Sequence, residues 1–173
     1  MALRPIIIHP DPRLKKPAAP VSEITDKLRV LADDMLATMY DAPGIGLAAP
    51  QVGVSAQLIV MDCANSETEK PRPMVLMNPE VVAASEEKNV YEEGCLSIPE
   101  QYADVERPAE VDVRWLGLDG EYHEEHFDGL WATCVQHEID HLHGKLFIDY
   151  LGPLKRQVIT RKMQKLKREK ARA

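Results

Sequence analysis

The chain has 173 residues, 45% of them hydrophobic and 28% charged, with a formal net charge of −7. This length allows one well-buried core, and the composition is that of a globular protein and excludes a disordered one. No apolar run is long enough to cross a bilayer and no signal-peptide core begins the chain, so we expect a cytoplasmic protein without membrane contact. The three cysteines have no disulfide-scaffold spacing, which predicts reduced thiols.

The N-terminal quarter predicts an arm followed by a helix. The apolar run 6–8 ends at Pro10 and Pro12, which exclude a regular helix there and indicate an ordered arm. Over residues 25–40 apolar side chains recur at helical spacing with charges elsewhere around the turn, which predicts a helix packed on the core. The residues of this stripe are Leu28, Leu31, Met35 and Met39.

A segment rich in small residues follows at 43–53. Its glycines allow the backbone to lie close to another body, and the side-chain amide of Gln51 can donate a hydrogen bond. The segment matches neither the phosphate-binding loop nor the dinucleotide fingerprint, which disfavours nucleotide binding. Taken alone, it is equally well explained as a tight structural loop.

The middle of the chain predicts strands. Short apolar runs at 57–61 and 74–77 are separated by a polar loop, and alternating apolar residues from Val111 to Trp115 lead through a turn at 118–120 into 121–127, which predicts a hairpin with one buried face. We expect His123 and His126 of this hairpin to be exposed and not to bind metal. Cys63 is interpreted as a structural thiol.

His137 and His141 lie four residues apart in a segment with helical periodicity that Gly144 is placed to end. Two histidines one turn apart share a helix face, about 6 Å apart along the axis, so both imidazoles can reach one metal ion. Glu138 between them is placed to take a proton from a water beside the ion. The alternative is a surface helix that contains two histidines by chance.

A catalytic site of this kind needs a third protein ligand and an open position for water. In one class of zinc proteases the third ligand is a histidine six residues after the second, but Phe147 stands there. In another class it is a downstream glutamate, and Glu169, the only one, lies in a basic tail. The third ligand is therefore expected upstream.

The upstream candidates are two cysteines, since Cys63 is interpreted as a structural thiol. Cys134 shares the helix face of His137, but it lies about 10 Å along the axis from His141, too far for all three to hold one ion, so we expect it in the wall of an adjoining pocket. Cys95 remains, in a segment that we expect to be irregular because Gly94 precedes it and Pro99 follows. Its alternative role is that of a buried, inert cysteine.

The C-terminal residues predict a basic helix. Residues 154–173 carry nine Lys or Arg and one acid, a net +8, which leaves −15 on residues 1–153. Gly152-Pro153 is typical of a helix start, and apolar residues recur roughly every turn at Leu154, Val158, Ile159, Met163 and Leu166. We therefore predict one catalytic domain over 1–153 and a basic helix over 154–173. The whole chain is predicted to be α+β, with mostly antiparallel strands packed around a central metal-binding helix and a C-terminal helix.

Three segments together resemble the peptide deformylases. Gly44 to Gln51 resembles the first motif of that family, 93–97 the second and 137–144 the third, and all three agree at every defining position. Their joint occurrence in this order is far more specific than any one of them. The likeness extends along nearly the whole chain to the basic C-terminal helix, as in many bacterial members.

The resemblance implies hydrolysis of the formyl group from N-terminal formylmethionine of nascent polypeptides, with release of formate. It implies Cys95, His137 and His141 as ligands of one divalent ion, ferrous iron in similar enzymes with zinc, nickel or cobalt as substitutes, and two imidazoles with a thiolate suit all four. It further implies Glu138 as the proton-transfer group, and the Gln51 amide and the Leu96 N–H as donors to the formyl oxygen.

The resemblance also implies an apolar slot for the methionine side chain and main-chain pairing with an extended substrate. The predicted substrate-binding residues are Gly44, Ile45, Gly46, Glu93, Leu130, Thr133 and Cys134. Similar bacterial enzymes are thought to dock the basic helix near the ribosomal exit, although a solvated terminal helix explains the same pattern. A monomer is expected.

Two other functions share part of this pattern. A zinc peptidase would use the same helix to cleave an internal amide, but Phe147 and a thiolate ligand disfavour it. A binding module with a closed structural metal site would need a fourth protein ligand.

Overall fold

The computed structural model describes residues 1–172. Within them the α-helices are α1 (Asp26–Asp41), α2 (Gly129–Leu142) and α3 (Pro153–Arg172), and short 3-10 turns lie at Pro12–Lys15, Ala49–Val52 and Phe147–Tyr150. α1 begins where the sequence predicts, because the Thr25 side chain accepts a hydrogen bond from the Leu28 N–H and caps the helix. No helix in residues 1–172 has the length and apolar character to span a membrane.

Five strands form one antiparallel sheet, in the order β1 (Gly46–Ala48), β2 (Leu58–Met61), β3 (Met74–Ala84), β6 (Val111–Leu116) and β7 (Tyr122–Phe127). The predicted β6–β7 hairpin is confirmed, and His123 and His126 on it are exposed. β3 continues to Ala84, seven residues beyond the predicted end, along a half whose side chains are mostly exposed.

A second hairpin, β4 (Lys88–Cys95) with β5 (Ile98–Pro108), was not predicted, and the expectation that the segment around Cys95 is irregular is wrong. The inward positions of β5 include Ala103, Val105 and Arg107, so a buried arginine interrupts the alternation of apolar residues that indicates a strand. A register shift between Glu93 and Cys95 is the irregular part of this hairpin.

α2 lies at the centre of the fold. One core cluster joins α2 to the five-stranded sheet, through Val135 and Leu142 against Ile59 and Val113. A second cluster packs α1 against β1 and β2, and a third joins β5, the N-terminal arm and α3. The predicted α+β arrangement of antiparallel strands around a central helix is thereby confirmed.

α3 packs on the body through a narrower face than its sequence predicts. Ile159 and Met163 are buried and Leu166 packs beside them, but Leu154 is 76% and Val158 is 44% exposed. Each residue advances about 100° around a helix, so Leu154 and Val158 lie about 100° or more from the line through Ile159 and Met163. The apolar residues that recur roughly every turn in the sequence therefore do not all share the buried face, since those of the first turns are exposed.

Candidate metal centre

Two histidines of α2 face the same point. His137 and His141 are 8% and 1% exposed, and their ring centroids are 5.0 Å apart. The helix ends just after them, where Gly144 adopts a φ of +73°, a conformation that favours glycine. The predicted helix, its end and the shared face of the histidines are all present.

β4 brings a thiol to the same point. Cys95 is the last residue of β4, and its Sγ lies 3.4 Å from Nε2 of His141. The donor atoms of Cys95, His137 and His141 all lie within 4.8 Å of one another. Tetrahedral nitrogen and sulfur ligands of one ion are roughly 3.5 Å apart, so this donor set fits a divalent metal.

A buried ion pair orients His137. Nδ1 of His137 lies 3.0 Å from Oε1 of Glu93, and Arg107 donates to both oxygens of Glu93 at 2.7 and 2.9 Å. Burial alone would raise the pKa of Glu93, but the hydrogen bonds from His137 and Arg107 outweigh it and lower that pKa. With Nδ1–H donated to Glu93, Nε2 of His137 is free to bind a metal.

The two imidazoles have different proton affinities in the metal-free chain. Burial opposes a charge on His137, but hydrogen bonds to Cys95 and Glu93 raise its pKa well above the ordinary value. Burial, with the charge of His137 second, lowers the pKa of His141 well below it. The different surroundings of the two imidazoles thus shift their pKa values in opposite directions.

Glu138 lies in the wall beside these donors. It is 4% exposed, and its Oε1 has no hydrogen-bond partner within residues 1–172. Burial raises the pKa of Glu138 to about 7. A carboxylate with this pKa exchanges protons readily near neutral pH. β1 comes close to it, since a Cβ added to Gly46 would lie 2.5 Å from Oε2 of Glu138.

Gln51 is fixed with its amide nitrogen towards the thiol. Its Oε1 accepts a 2.9 Å hydrogen bond from the Ala48 N–H, and its Nε2 lies 3.0 Å from Oγ of Ser97 and 3.4 Å from Sγ of Cys95. Gln51 is 1% exposed, so this orientation is held by packing as well. The loop expected at 43–53 is a short strand followed by a 3-10 turn.

An open cavity of about 890 Å³ reaches the site. Every predicted substrate-binding residue lines it, and so do Gln51, Leu96, Cys95, His137 and Glu138. His141 does not line the cavity and is buried. Ile45 and Leu130 are 43% and 42% exposed, so two large apolar side chains are available for a ligand to cover.

Some cavity and site residues were missed by the sequence analysis. Arg107 holds Glu93, and Pro99 to Tyr102 of β5 form a rim of the cavity together with Lys170 of α3. A basic residue at an inward position of an alternating segment is the signal that marks Arg107. No sequence pattern marks the rim residues, because their position depends on the bulge of β5 beside Gly94.

The fold and the site are those of a hydrolase with a helix-borne His-Glu-x-x-His sequence and a cysteine donor from a hairpin. The model of the polypeptide deformylase family matches residues 3–157. A peptide deformylase of Bradyrhizobium diazoefficiens is 59% identical over 169 residues, covering 95% of this chain and 97% of that protein. A peptide deformylase of Mesorhizobium japonicum is 54% identical, covering 99% and 97%.

Solved structures of peptide deformylases have the same fold as this chain. A Legionella pneumophila peptide deformylase superposes with a TM-score of 0.90 at 47% identity, covering 99% of both chains. An Ehrlichia chaffeensis peptide deformylase in complex with actinonin gives a TM-score of 0.92 at 37% identity, covering 97% of this chain and 99% of that one. The chain belongs to the peptide deformylase family and is an enzyme of it, as its three motifs predict.

Proposed function

We propose that this enzyme hydrolyses the formyl group from N-terminal formylmethionine of nascent polypeptides and that the reaction depends on a divalent metal held by Cys95, His137 and His141. We assign ferrous iron to the site, and zinc, nickel and cobalt suit the same donors. The observation that carries the proposal is the convergence of these three donors beside a buried Glu138 at an open cavity.

The chemistry is divided among the cavity residues. A bound divalent ion supplies Lewis-acid polarisation and makes a water acidic enough to lose its proton near neutral pH. Glu138 takes that proton as the water oxygen adds to the formyl carbon, and returns it to the nitrogen as the C–N bond breaks, so that formate and a free amine leave. Nε2 of Gln51 and the Leu96 N–H donate to the oxygen that gains negative charge.

The cavity wall fits the rest of the substrate. Ile45, Leu130, Thr133 and Cys134 surround the slot assigned to the methionine side chain, whose burial contributes about 1.5–3 kcal/mol. β1 is at the edge of its sheet, which suits main-chain pairing of an extended peptide with Gly44 to Gly46 and so tolerates many sequences. Glu93 is a different case: Arg107 and His137 engage both its oxygens, so we assign it to positioning His137 and not to contacting the peptide.

The test incubates the enzyme with one formylated peptide and measures both formate release and peptide fragmentation. We expect formate release without peptide fragmentation, whereas a zinc peptidase would fragment the peptide. Cys95→Ser is expected to lose the metal, and Cys134→Ser, which changes a cavity thiol outside the donor set, is the matched control that retains it. Metal retention by both variants would contradict the assigned ligands. A closed structural site is disfavoured because the described donor group has three members.

We propose further that residues 1–153 are the catalytic domain and that the basic helix over 154–173 contacts ribosomal RNA near the exit. Ala173 lies outside the described residues, and α3 begins one residue earlier, at Pro153. The net +8 of the helix on a −15 body supports this, because phosphate attracts the helix and repels the body.

Truncation is a poor test of this contact because Ile159 and Met163 are buried against the core. Replacing the exposed Lys155, Lys162 and Lys165 with Glu leaves that face intact. We expect weaker, less salt-dependent co-sedimentation with ribosomes and unchanged turnover of short formyl-Met peptides. Unchanged ribosome binding by this variant would contradict the docking proposal and leave the catalytic assignment standing.

A further inference from the structure

The guanidinium of Arg107 joins two carboxylates on different elements. Arg107 is 3% exposed, and while its Nε and one terminal nitrogen bond Glu93 of β4, the other terminal nitrogen donates to Asp140 of α2 at 2.8 Å. Because the guanidinium is planar and rigid, holding one of its nitrogens restricts how the other two can present their N–H groups. The contact with Asp140 therefore limits the orientations in which Glu93 is held.

Tyr150 holds the outer end of this arrangement. Its hydroxyl donates to Oδ2 of Asp140 at 2.8 Å, the same oxygen that Arg107 contacts, and lies 3.3 Å from the Arg107 nitrogen. The Arg107 carbon is 4.8 Å from the centre of the Tyr150 ring, within cation–π range. Lys145 Nζ also lies over that ring, at 4.1 Å. Tyr150 thus contacts both Asp140 and Arg107 from the 3-10 turn after α2.

The contacts form one continuous series. It runs from the Tyr150 hydroxyl to Asp140, Arg107, Glu93 and Nδ1 of His137, and every adjacent pair is at hydrogen-bonding distance. Partners of this kind fix the ring orientation and tautomer of a metal-binding histidine. Removing the hydroxyl frees one side of the Asp140 carboxylate, and the looser Arg107 then holds Glu93 and His137 less firmly.

We propose that Tyr150 and Asp140 are positioning residues of the metal centre that act through Arg107 and Glu93 on His137. The inference rests on the proposed function, because it requires that His137 bind a metal. Neither residue lines the catalytic cavity, so their effect reaches the site through these contacts.

The test compares two tyrosines in similar surroundings. Tyr150→Phe keeps the ring beside Arg107 and removes only the hydroxyl. Tyr122→Phe is the matched control, since Tyr122 on β7 has Arg114 over its ring at 4.5 Å, away from the donors. We measure how fast zinc-loaded protein loses zinc to a chelator, and the free energy of unfolding of each metal-free protein.

Tyr150→Phe is expected to release zinc about threefold to tenfold faster, below the roughly 10- to 100-fold effect of a residue that bonds the ligand directly. The Tyr122→Phe rate should be unchanged. In a Glu93→Gln background Tyr150→Phe should no longer change the rate of zinc loss. The effects of substitutions within one hydrogen-bonded series are not additive, and the Glu93 substitution already breaks the series. An equal factor in both backgrounds indicates a general structural role and overturns the inference.

The Cys95→Ser variant distinguishes failure of this inference from failure of the proposed metal centre. If Cys95→Ser retains zinc like the wild type, the metal centre itself is wrong and the inference falls with it. If Cys95→Ser loses zinc but Tyr150→Phe releases it at the rate of Tyr122→Phe, the centre stands and only the role of Tyr150 is refuted.

Discussion

Gly144 offers a test of how the end of α2 is packed. Its φ is +73°, and a Cβ at this position would overlap the Lys15 carbonyl oxygen and lie 2.6 Å from the carbonyl carbon. Both neighbouring atoms belong to the backbone, so no side-chain rotation can relieve the contact. We therefore expect Gly144→Ala to be destabilising for two separate reasons, the strained φ and the overlap with the arm.

The two costs can be estimated separately. A left-handed conformation costs a residue with a Cβ about 1–2 kcal/mol. Overpacking that shifts the backbone costs about 1–3 kcal/mol more. Gly120 is the matched control, because its φ is +80° but an added Cβ would meet nothing within 4 Å. We expect Gly120→Ala to lose only the first amount, and Gly144→Ala roughly 2–5 kcal/mol.

Urea unfolding of the metal-free variants measures both free energies of unfolding. Because Gly144 lies three residues after His141, Gly144→Ala should also accelerate zinc loss, whereas Gly120→Ala should not. Equal destabilisation by the two substitutions would refute the close approach of the N-terminal arm to the end of α2. Unaltered zinc release by a destabilised Gly144→Ala would refute the link between that packing and the donor set.

Three further substitutions test the assigned roles. Glu138→Gln should retain zinc and lose nearly all formate release, measured on one preparation, because it removes the base and no ligand. Gln51→Leu should lower kcat about 100- to 1,000-fold with a much smaller change in KM, as steady-state kinetics will show. Burial, and secondly Lys15, lower the pKa of His9 from 6.5. As the pH falls, His9 is therefore protonated in the unfolded chain before it is protonated in the folded chain. The stability that neutral His9 contributes is present above about pH 6.5 and is lost as the pH falls. Melting temperatures of metal-free wild type and His9→Gln should accordingly converge on acidification.

The site was predictable where its residues lie close together in sequence. His137, Glu138 and His141 fall within two turns of a helix, so spacing alone places them together. Cys95 lies more than 40 residues upstream, and only the lack of another suitable ligand pointed to it before the motif resemblance was considered. The structure brings its Sγ to 3.4 Å from His141, a contact that no local pattern specifies.

The parts that were missed depend on contacts between distant segments. β5 was not predicted because Arg107 occupies an inward position, and an arginine is stable there only because Glu93 and Asp140 meet it from two other elements. Likewise, Tyr150 and Asp140 are ten residues apart and belong to different elements, so nothing in the sequence indicates their hydrogen bond.

The donors lie together because the side-chain periodicity of a strand and that of a helix each place two residues on the face that points to the other element. Residues two apart in a strand point to the same face, so β4 can present both Cys95 and Glu93 towards α2. Residues four apart in a helix share a face, so α2 presents His137 and His141 towards β4. One strand thus supplies a metal donor and also the carboxylate that orients a second donor. A shift of β4 by one residue would turn both side chains away together, and the Arg107 bridge to Asp140 opposes such a shift because it ties the hairpin directly to α2.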